Sequence, residues 1–262
     1  MSTADSSAAE PMSITPPFAY GEIVPLRKEH RVLVPQAGKI APAFREINAL
    51  PISMVEFEAV ARDYPIVFVT GDSGKTYAAF AVLGLEAGRN LFLMSDHTWD
   101  RRVYVPAYVR RYPFCMSTVT VDGQLRDERL VCVEKKAIRD KGDRLFDESG
   151  AALPDWERQQ KLLTEYEADL LRTNDMCATL AAEGVLEAFT MQAQPNDGAA
   201  LALSGMARVN EQKLAELESE KIRSLMQRGY LRRIYAHIAS IGNFQRLLDR
   251  RASFSRTLKS GA

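Results

Sequence analysis

Ala59-Val-Ala-Arg-Asp-Tyr-Pro-Ile-Val-Phe68 recurs loosely, 48 residues further on, as Ala107-Tyr-Val-Arg-Arg-Tyr-Pro-Phe-Cys-Met116. Proline disfavours helix in the residue before it, and the apolar residues that follow each proline are mostly β-branched or aromatic, as strands prefer. Each copy therefore predicts the last turn of a helix, a break at the proline, and then a strand. The fixed offset predicts a duplicated supersecondary unit, here called the internal repeat, with a first copy at 59–68 and a second copy at 107–116.

The rest of the chain extends this pattern into a fold class. Glycine-rich turns separate short apolar runs in residues 21–138, which predicts a β-rich part. A polar loop at 139–155 leads to a part with helical periodicity, 156–253, which contains one hairpin around Asn196-Asp-Gly198. The sequence therefore predicts an α+β fold with one domain over 21–253, a disordered tail at 1–20 and a second tail at 254–262.

The charge of the chain is balanced overall but unevenly distributed. Of 262 residues, 34 are Lys or Arg and 34 are Asp or Glu, which argues against nucleic acid as a partner. Residues 221–262 hold ten basic residues and one acid, net +9, so residues 1–220 hold 24 basic and 33 acidic residues, net −9. We expect an amphipathic helix at 231–248 to turn its arginines toward the acidic segment 140–187.

Cysteine usage and hydropathy bear on compartment and cofactors. Cys115, Cys132 and Cys177 are odd in number and form no Cys-x-x-Cys pair, which argues against a disulfide framework and a structural zinc site. We therefore predict reduced thiols and a cytoplasmic location. No run of about 18 apolar residues and no signal-peptide core is found, so we predict no membrane span. No cofactor or metal is predicted.

The segment Gly71-Asp-Ser-Gly-Lys-Thr76 follows an apolar run and ends like a phosphate-binding loop. That motif needs a glycine five residues before Gly74, where this chain has Val69. We favour a glycine-rich turn of a β-hairpin, with nucleotide binding at 71–76 as the less favoured alternative.

The histidines suggest an alternative function, an enzyme that modifies a peptide or a small molecule. His97 lies near Asp96 and Asp100, and either His97 or His237 is a candidate acid or base. The competing interpretation of His237 is a packing role on the C-terminal helix, which we favour.

An aromatic and cationic cluster is the main candidate contact surface. Its members are Trp99, Tyr104, Arg110, Arg111 and Tyr112, with weaker candidates at His237 and Asn243. Trp, Tyr and Arg dominate binding hot spots, so the cluster predicts a binding site for a protein or peptide partner. The alternative is an aromatic core with arginines over it. A contact role predicts that Arg111→Ala weakens binding and leaves the melting temperature nearly unchanged.

Four ordered blocks span most of the chain: Arg62-Asp-Tyr-Pro-Ile-Val-Phe-Val69, Tyr104-Val-Pro-Ala-Tyr-Val-Arg-Arg-Tyr-Pro-Phe114, Asn196-Asp-Gly198, and Ile234-Tyr-Ala-His237 with Ser240-x-Gly-Asn-x-x-Arg-Leu247. Together, over about residues 20–250, they resemble the SapC family of bacterial proteins. The family is associated with surface-layer systems, and its members are often encoded near TonB-dependent receptors and enzymes resembling tryptophan halogenases. The resemblance implies a non-catalytic accessory role in an envelope or uptake system and carries over no catalytic residues. The chain departs from the family's usual hairpin turn at residues 71–76.

Overall fold

The computed structural model describes residues 13–36, 38–71, 74–121, 124–194 and 200–260. The chain divides into two compact units. The first unit holds the described residues of Met1–Val34 and Arg111–Leu163, and the second holds those of Pro35–Arg110 and Thr164–Ala262. The single domain predicted over 21–253 stays a prediction.

Most of the strands lie in the first half of the chain, and most of the helical residues lie in the second half. The strands are β1 Ser13–Ile14, β2 Ile23–Pro25, β3 Arg31–Val32, β4 Ala49–Pro51, β5 Ile66–Val69, β6 Ala78–Val82, β7 Phe114–Val121, β8 Gln124–Glu134, β9 Asp143–Arg144, β10 Leu186–Ala193 and β11 Leu201–Val209. The helices are α1 Phe57–Val60, α2 Ala107–Arg110, α3 Pro154–Ala182, α4 Glu211–Ala215, α5 Ser219–Gln227, α6 Tyr230–Ser240 and α7 Asn243–Ser260, with short 3-10 turns at Pro42–Phe44, Met54–Glu56 and Lys135–Ala137. The predicted α+β class is confirmed.

The first unit is a small sheet packed on aromatic residues. Its strand order is β1-β7-β8-β2, with β3 and β9 forming a separate pair. Val32, Phe114, Val133 and Trp156 are central to its core, and the rings of Phe114 and Trp156 lie 4.8 Å apart. Ser13 and Ile14, which belong to the predicted tail, form β1.

The second unit contains a five-stranded antiparallel sheet in the order β10-β11-β5-β6-β4. Its central strand β5 is the strand of the first repeat copy, and Ile66, Val67 and Phe68 on it are buried. Buried, β-branched and aromatic residues on consecutive positions are typical of a strand covered on both faces. The predicted hairpin in the second half is confirmed by the pairing of β10 with β11, whereas its predicted turn at Asn196-Asp-Gly198 lies outside the described residues.

Both repeat copies adopt the predicted local structure. In each, a short helix, α1 or α2, ends before the Tyr-Pro dipeptide and a strand, β5 or β7, follows. The Tyr112–Pro113 peptide bond is cis. The common local structure agrees with the internal repeat, and the duplication itself stays a prediction.

The C-terminal helical segment differs from the prediction. The sequence predicts one helix over 231–248, whereas α6 ends at Ser240 and α7 begins at Asn243. Glycine is unfavourable inside a helix by about 1 kcal/mol relative to alanine, and Gly242 lies at this break. The second helix continues to Ser260, through residues that we expected to form a tail. None of the described helices has the length and apolar character that a membrane span needs.

The basic C-terminal residues are paired within the second unit. Arg228 contacts Asp175 and Lys221 contacts Glu183, both acids of the expected segment 140–187. Four further arginines pair outside that segment: Arg232 and Arg233 with Glu58, Arg250 with Asp100, and Arg251 with Glu86. The expectation was therefore incomplete, because helix packing brings acids from the first half of the chain onto the basic helices.

Candidate functional site

Four side chains at three-residue spacing on α6 and α7 hold the first repeat copy. We call His237, Ser240, Asn243 and Arg246 the C-terminal clip. Within each helix the two residues, three apart, share one face, and the packing of α6 and α7 on the first copy brings all four side chains to the same strip of backbone. All four belong to the fourth block of the family resemblance.

The clip satisfies backbone groups on either side of the proline break. The Arg246 guanidinium donates to the Arg62 carbonyl at 2.5 Å, and the Asn243 amide donates to the carbonyls of Ala61 at 2.7 Å and Tyr64 at 3.1 Å. The Ser240 hydroxyl accepts from the Ile66 N–H at 2.8 Å. These bonds replace the helical hydrogen bonds that the chain loses at the break.

His237 completes the clip from a fully buried position. Its Nδ1 lies 2.8 Å from the Ile66 carbonyl oxygen, and its Nε2 accepts from the Val209 N–H at 3.1 Å. Nδ1 therefore carries the proton. Burial lowers the pKa of His237 to about 4, so the ring is neutral at pH 7. With both nitrogens bound to backbone, His237 has no free lone pair for general base catalysis, and this geometry agrees with the packing interpretation.

Trp99 lies inside the second unit and not on its surface. It is 1% exposed, and its Nε1 donates to the Tyr64 hydroxyl at 3.0 Å. That hydroxyl donates in turn to the Tyr104 carbonyl at 2.5 Å. Burial raises the pKa of Tyr64 far above its ordinary value. The predicted hot-spot tryptophan therefore positions the backbone of Tyr104 and supplies no exposed contact area.

Tyr104 and Arg110 form a surface pair backed by a buried carboxylate. The Arg110 guanidinium donates to the Tyr104 hydroxyl at 3.0 Å, and its carbon lies 5.6 Å from the ring centroid. The Tyr104 hydroxyl donates to Glu56 Oε1 at 2.8 Å, and the same oxygen accepts from the Ala107 N–H at 2.6 Å. Burial, with the nearby Glu56 charge, raises the pKa of Tyr104 to about 12. The pair is fixed in place before any partner arrives.

Arg111 and Tyr112 belong to the first unit and pack against Tyr20. Arg111 is 2% exposed, and its guanidinium carbon lies 5.5 Å from the centroid of the Tyr20 ring. The rings of Tyr20 and Tyr112 are 5.4 Å apart. Burial, together with Glu134, raises the pKa of Tyr112 to about 12. Of the five residues in the predicted cluster, Trp99 and Arg111 are buried, and Tyr104, Arg110 and Tyr112 are at least partly exposed. The binding role of these three stays a prediction.

A cleft of about 500 Å³ in the second unit is the best candidate ligand site, and we call it the arginine cleft. It lies beside α7 and the segment that follows Leu91. Its lining residues are Asp63, Leu91, Leu93, Met94, Asp100, Arg102, Val103, Arg246, Asp249, Arg250, Ser253 and Phe254. Three arginines, three acids and an apolar wall therefore meet in one concave surface, which is typical of a binding site.

Asp100 fixes two of the three arginines. Its carboxylate is 2% exposed and accepts from Arg102 at 2.9 and 3.0 Å and from Arg250 at 3.0 Å. These hydrogen bonds from Arg102 and Arg250 hold the pKa of Asp100 well below its usual range. The Arg250 guanidinium carbon also lies 4.3 Å from the centroid of the Phe92 ring. A guanidinium held on two sides loses little freedom when it binds a carboxylate.

The rim of the cleft is exposed. The Arg102 side chain is 80% exposed even though it pairs with Asp100, and Met94 is 47% exposed. No local sequence pattern predicts this site, because Asp100 and Arg250 are 150 residues apart. The one available signal was the excess of arginine on the C-terminal helix.

The glycine-rich segment is the connection of a hairpin, as we favoured. Strands β5 and β6 pair antiparallel, with Val69 opposite Ala78, and the Gly74 N–H donates to the Thr70 hydroxyl at 2.9 Å. Asp72 and Ser73 of the motif lie outside the described residues. A phosphate-binding loop opens into a helix, whereas a strand follows here, so the nucleotide alternative loses its structural basis.

The remaining enzymatic candidate is His97. His97 lies in an exposed turn with φ 61°, where its backbone N–H donates to the Met94 carbonyl at 2.9 Å. Within the part of the chain that the structure describes, no group of three or more His, Cys, Asp or Glu side chains is arranged to hold a metal ion.

Comparison with protein families gives a match over most of the chain. The model of the SapC family matches residues 27–247, which includes the first repeat copy, most of the arginine cleft and the entire C-terminal clip. No curated protein matches the chain. No solved structure matches it either. A family model that covers most of the chain shows membership, and this protein belongs to the SapC family.

Proposed function

We propose that this protein is a non-catalytic binding protein that acts as an accessory component of a bacterial envelope system, either a surface layer or TonB-linked uptake. The single observation that carries the binding role is the arginine cleft, with its preorganised Asp100, Arg102 and Arg250 network. The envelope role rests on the associations of the family. The cytoplasmic location expected from the sequence is part of the proposal.

The chemistry of the cleft favours a protein or peptide segment as the ligand. Leu93, Met94 and Phe254 supply apolar area, and the arginines supply fixed donors for a carboxylate. Because the three acids of the cleft, Asp63, Asp100 and Asp249, offset the charge of its three arginines, the exposed Arg102 donors attract an anionic group without a large net positive field. An apolar side chain next to an acidic one is the pattern that fits.

The test is affinity capture of the tagged full-length chain from the bacterium that encodes it, read by mass spectrometry. The cleft variant combines Met94→Asp with Arg102→Gln. The matched control combines Met226→Asp with Arg223→Gln on α5, where Met226 is 69% exposed. Both variants change the same residue types on the same unit, and their melting temperatures check that each is folded.

We expect the wild type and the control to retain an envelope or uptake component that the cleft variant loses roughly tenfold or more, as for disrupted hot spots. The same captured set from the cleft variant and the wild type would refute the arginine cleft as the site. Capture that depends on the cleft but yields no envelope component would refute the envelope role alone.

A further inference from the structure

The two edges of the five-stranded sheet differ in how they are protected. Edge strand β4 has three residues and ends in Pro51, and short proline-containing edges resist pairing with other chains. Edge strand β10 has eight residues, Leu186–Ala193, with neither proline nor lysine. An edge of this length and composition presents an open row of backbone donors and acceptors.

The register shows which backbone groups of β10 point away from the sheet. The Asn210 N–H donates to the Val185 carbonyl at 2.8 Å, so Val185 faces β11. In an antiparallel pair this orientation alternates, so Leu186, Ala188, Thr190 and Gln192 turn their N–H and C=O groups outward. Among the described residues, none donates to or accepts from these outward groups.

The irregularity of this hairpin leaves β10 intact. Between Phe189 and Met191 the partner register moves from Met206 to Leu203, so the extra residue lies on β11. Gly205 has φ 80°, a conformation that glycine adopts at little cost, and it accommodates the bulge. Strand β10 therefore keeps regular alternation, and the side chains of Ala188, Thr190 and Gln192 are exposed.

We infer that β10 is a homodimer interface, at which two copies of this chain pair their β10 strands antiparallel into one continuous sheet. A two-fold axis through Phe189 sets Ala188 opposite Thr190 and Leu186 opposite Gln192. This register uses every outward backbone group of both strands. Small and β-branched side chains then face each other, as stable cross-strand pairs do.

Charge also favours a second copy as the occupant. Glu187 is the one charged residue of β10, and it is neutralised by Arg208 at 2.8 Å on its own chain. In the two-fold register Glu187 lies opposite Met191, so no like charges meet. The net charge of the chain is zero, so two copies do not repel each other at long range.

The apolar side of the strand adds to the interface. The Phe189 ring lies 5.7 Å from the Phe244 ring, and the Arg208 guanidinium carbon is 5.1 Å from the centroid of the Phe189 ring. The two-fold axis brings the Phe189 residues of the two copies side by side, on the face opposite to Ala188 and Thr190. Aromatic pairs of this kind stabilise adjacent strands.

The test is the molar mass of the full-length chain, measured by sedimentation velocity and light scattering across the micromolar range. We expect twice the monomer mass of 29.3 kDa. Thr190→Pro removes an outward N–H and leaves the bonds to β11 in place, and Thr190→Lys places a charge on the edge. Each should raise the dissociation constant of the dimer roughly tenfold or more.

Thr190→Val is the matched control, because it keeps the N–H and the β-branched shape, and it should remain dimeric. Circular dichroism shows which variants are folded. If Thr190→Pro is unfolded, Thr190→Lys provides the test of dimerisation. A monomeric wild type, or a dimer that folded Thr190→Lys leaves unchanged, would overturn the inference. The interface is separate from the arginine cleft, so the Met94→Asp and Arg102→Gln variant should still dimerise.

Discussion

The two repeat copies have nearly the same local structure and very different surroundings. In the first copy, four side chains of α6 and α7 bind the backbone from Ala61 to Ile66. In the second copy, the Gln159 amide donates to the Arg111 carbonyl at 2.9 Å and the Tyr20 hydroxyl donates to the Phe114 carbonyl at 2.9 Å. All residues of the first copy belong to the second unit. In the second copy, the boundary between the units falls after Arg110.

This difference separates what a local pattern can decide from what it cannot. A Tyr-Pro break after an apolar turn ends a helix wherever it occurs, because proline restricts the residue before it. The polar groups exposed by the break must still find partners, and those partners come from distant parts of the chain. The fourth block of the family resemblance therefore stabilises the proline break of the first copy.

The largest expected effect comes from breaking the clip. His237→Ala leaves the Ile66 carbonyl and the Val209 N–H buried without partners and opens a cavity. We expect a loss of about 3–4 kcal/mol in the free energy of unfolding, measured with urea. Gln159→Ala, which removes one bond from the second copy, should cost about 1 kcal/mol. Equal losses in the free energy of unfolding would show that both copies depend to the same degree on the side chains that bind their backbones.

An acid titration sharpens the comparison, because the clip of the first copy includes a histidine. His237 is neutral when folded, with its pKa lowered from 6.5 to about 4. The unfolded chain binds a proton there below pH 6.5 and the folded chain does not, so stability falls as the pH drops from 6.5 to 4. The expected loss is roughly 3 kcal/mol.

The urea midpoint of the wild type and of His237→Gln, followed over this pH window, measures that loss. Glutamine can donate and accept but does not titrate, so the variant should show a shallower dependence on pH. Parallel curves for the two proteins would show that His237 does not cause the acid sensitivity in this window, since Asp100, whose pKa is lowered from 3.8, loses its contribution only at more acidic pH.

A smaller effect is expected at the position where the copies differ in charge. The first copy has Asp63, which accepts from the Tyr104 N–H at 3.0 Å, and the second has buried Arg111. Arg111→Ala removes the packing on Tyr20, and we expect a loss of about 2 kcal/mol with a clear drop in melting temperature.

The neighbouring Arg110→Ala provides the control, since that side chain is 44% exposed and should cost less than about 1 kcal/mol. This expectation reverses the one drawn from the sequence, in which Arg111 was a contact residue. If Arg111→Ala melts like the wild type, the contact role of Arg111 regains its support.

Much of the fold could be predicted from the sequence, and less of the candidate site. The long helix α3, the β10–β11 hairpin and the break at each Tyr-Pro are local patterns that the structure confirms. Trp99 and Arg111 were selected because their residue types are common at interfaces, but residue type does not reveal burial. The arginine cleft was missed because its charged members come from separate parts of the chain.

The sequence by itself determined the family, the α+β class and the positions where helices give way to strands, because these depend on residue type and short spacing. Only the tertiary structure decided that His237 and Asn243 clip a backbone, that Asp100 holds Arg102 and Arg250, and that β10 is left at an edge. The physical reason is that hydrogen bonding, charge pairing and burial depend on distances between residues far apart in sequence, which chain packing alone sets.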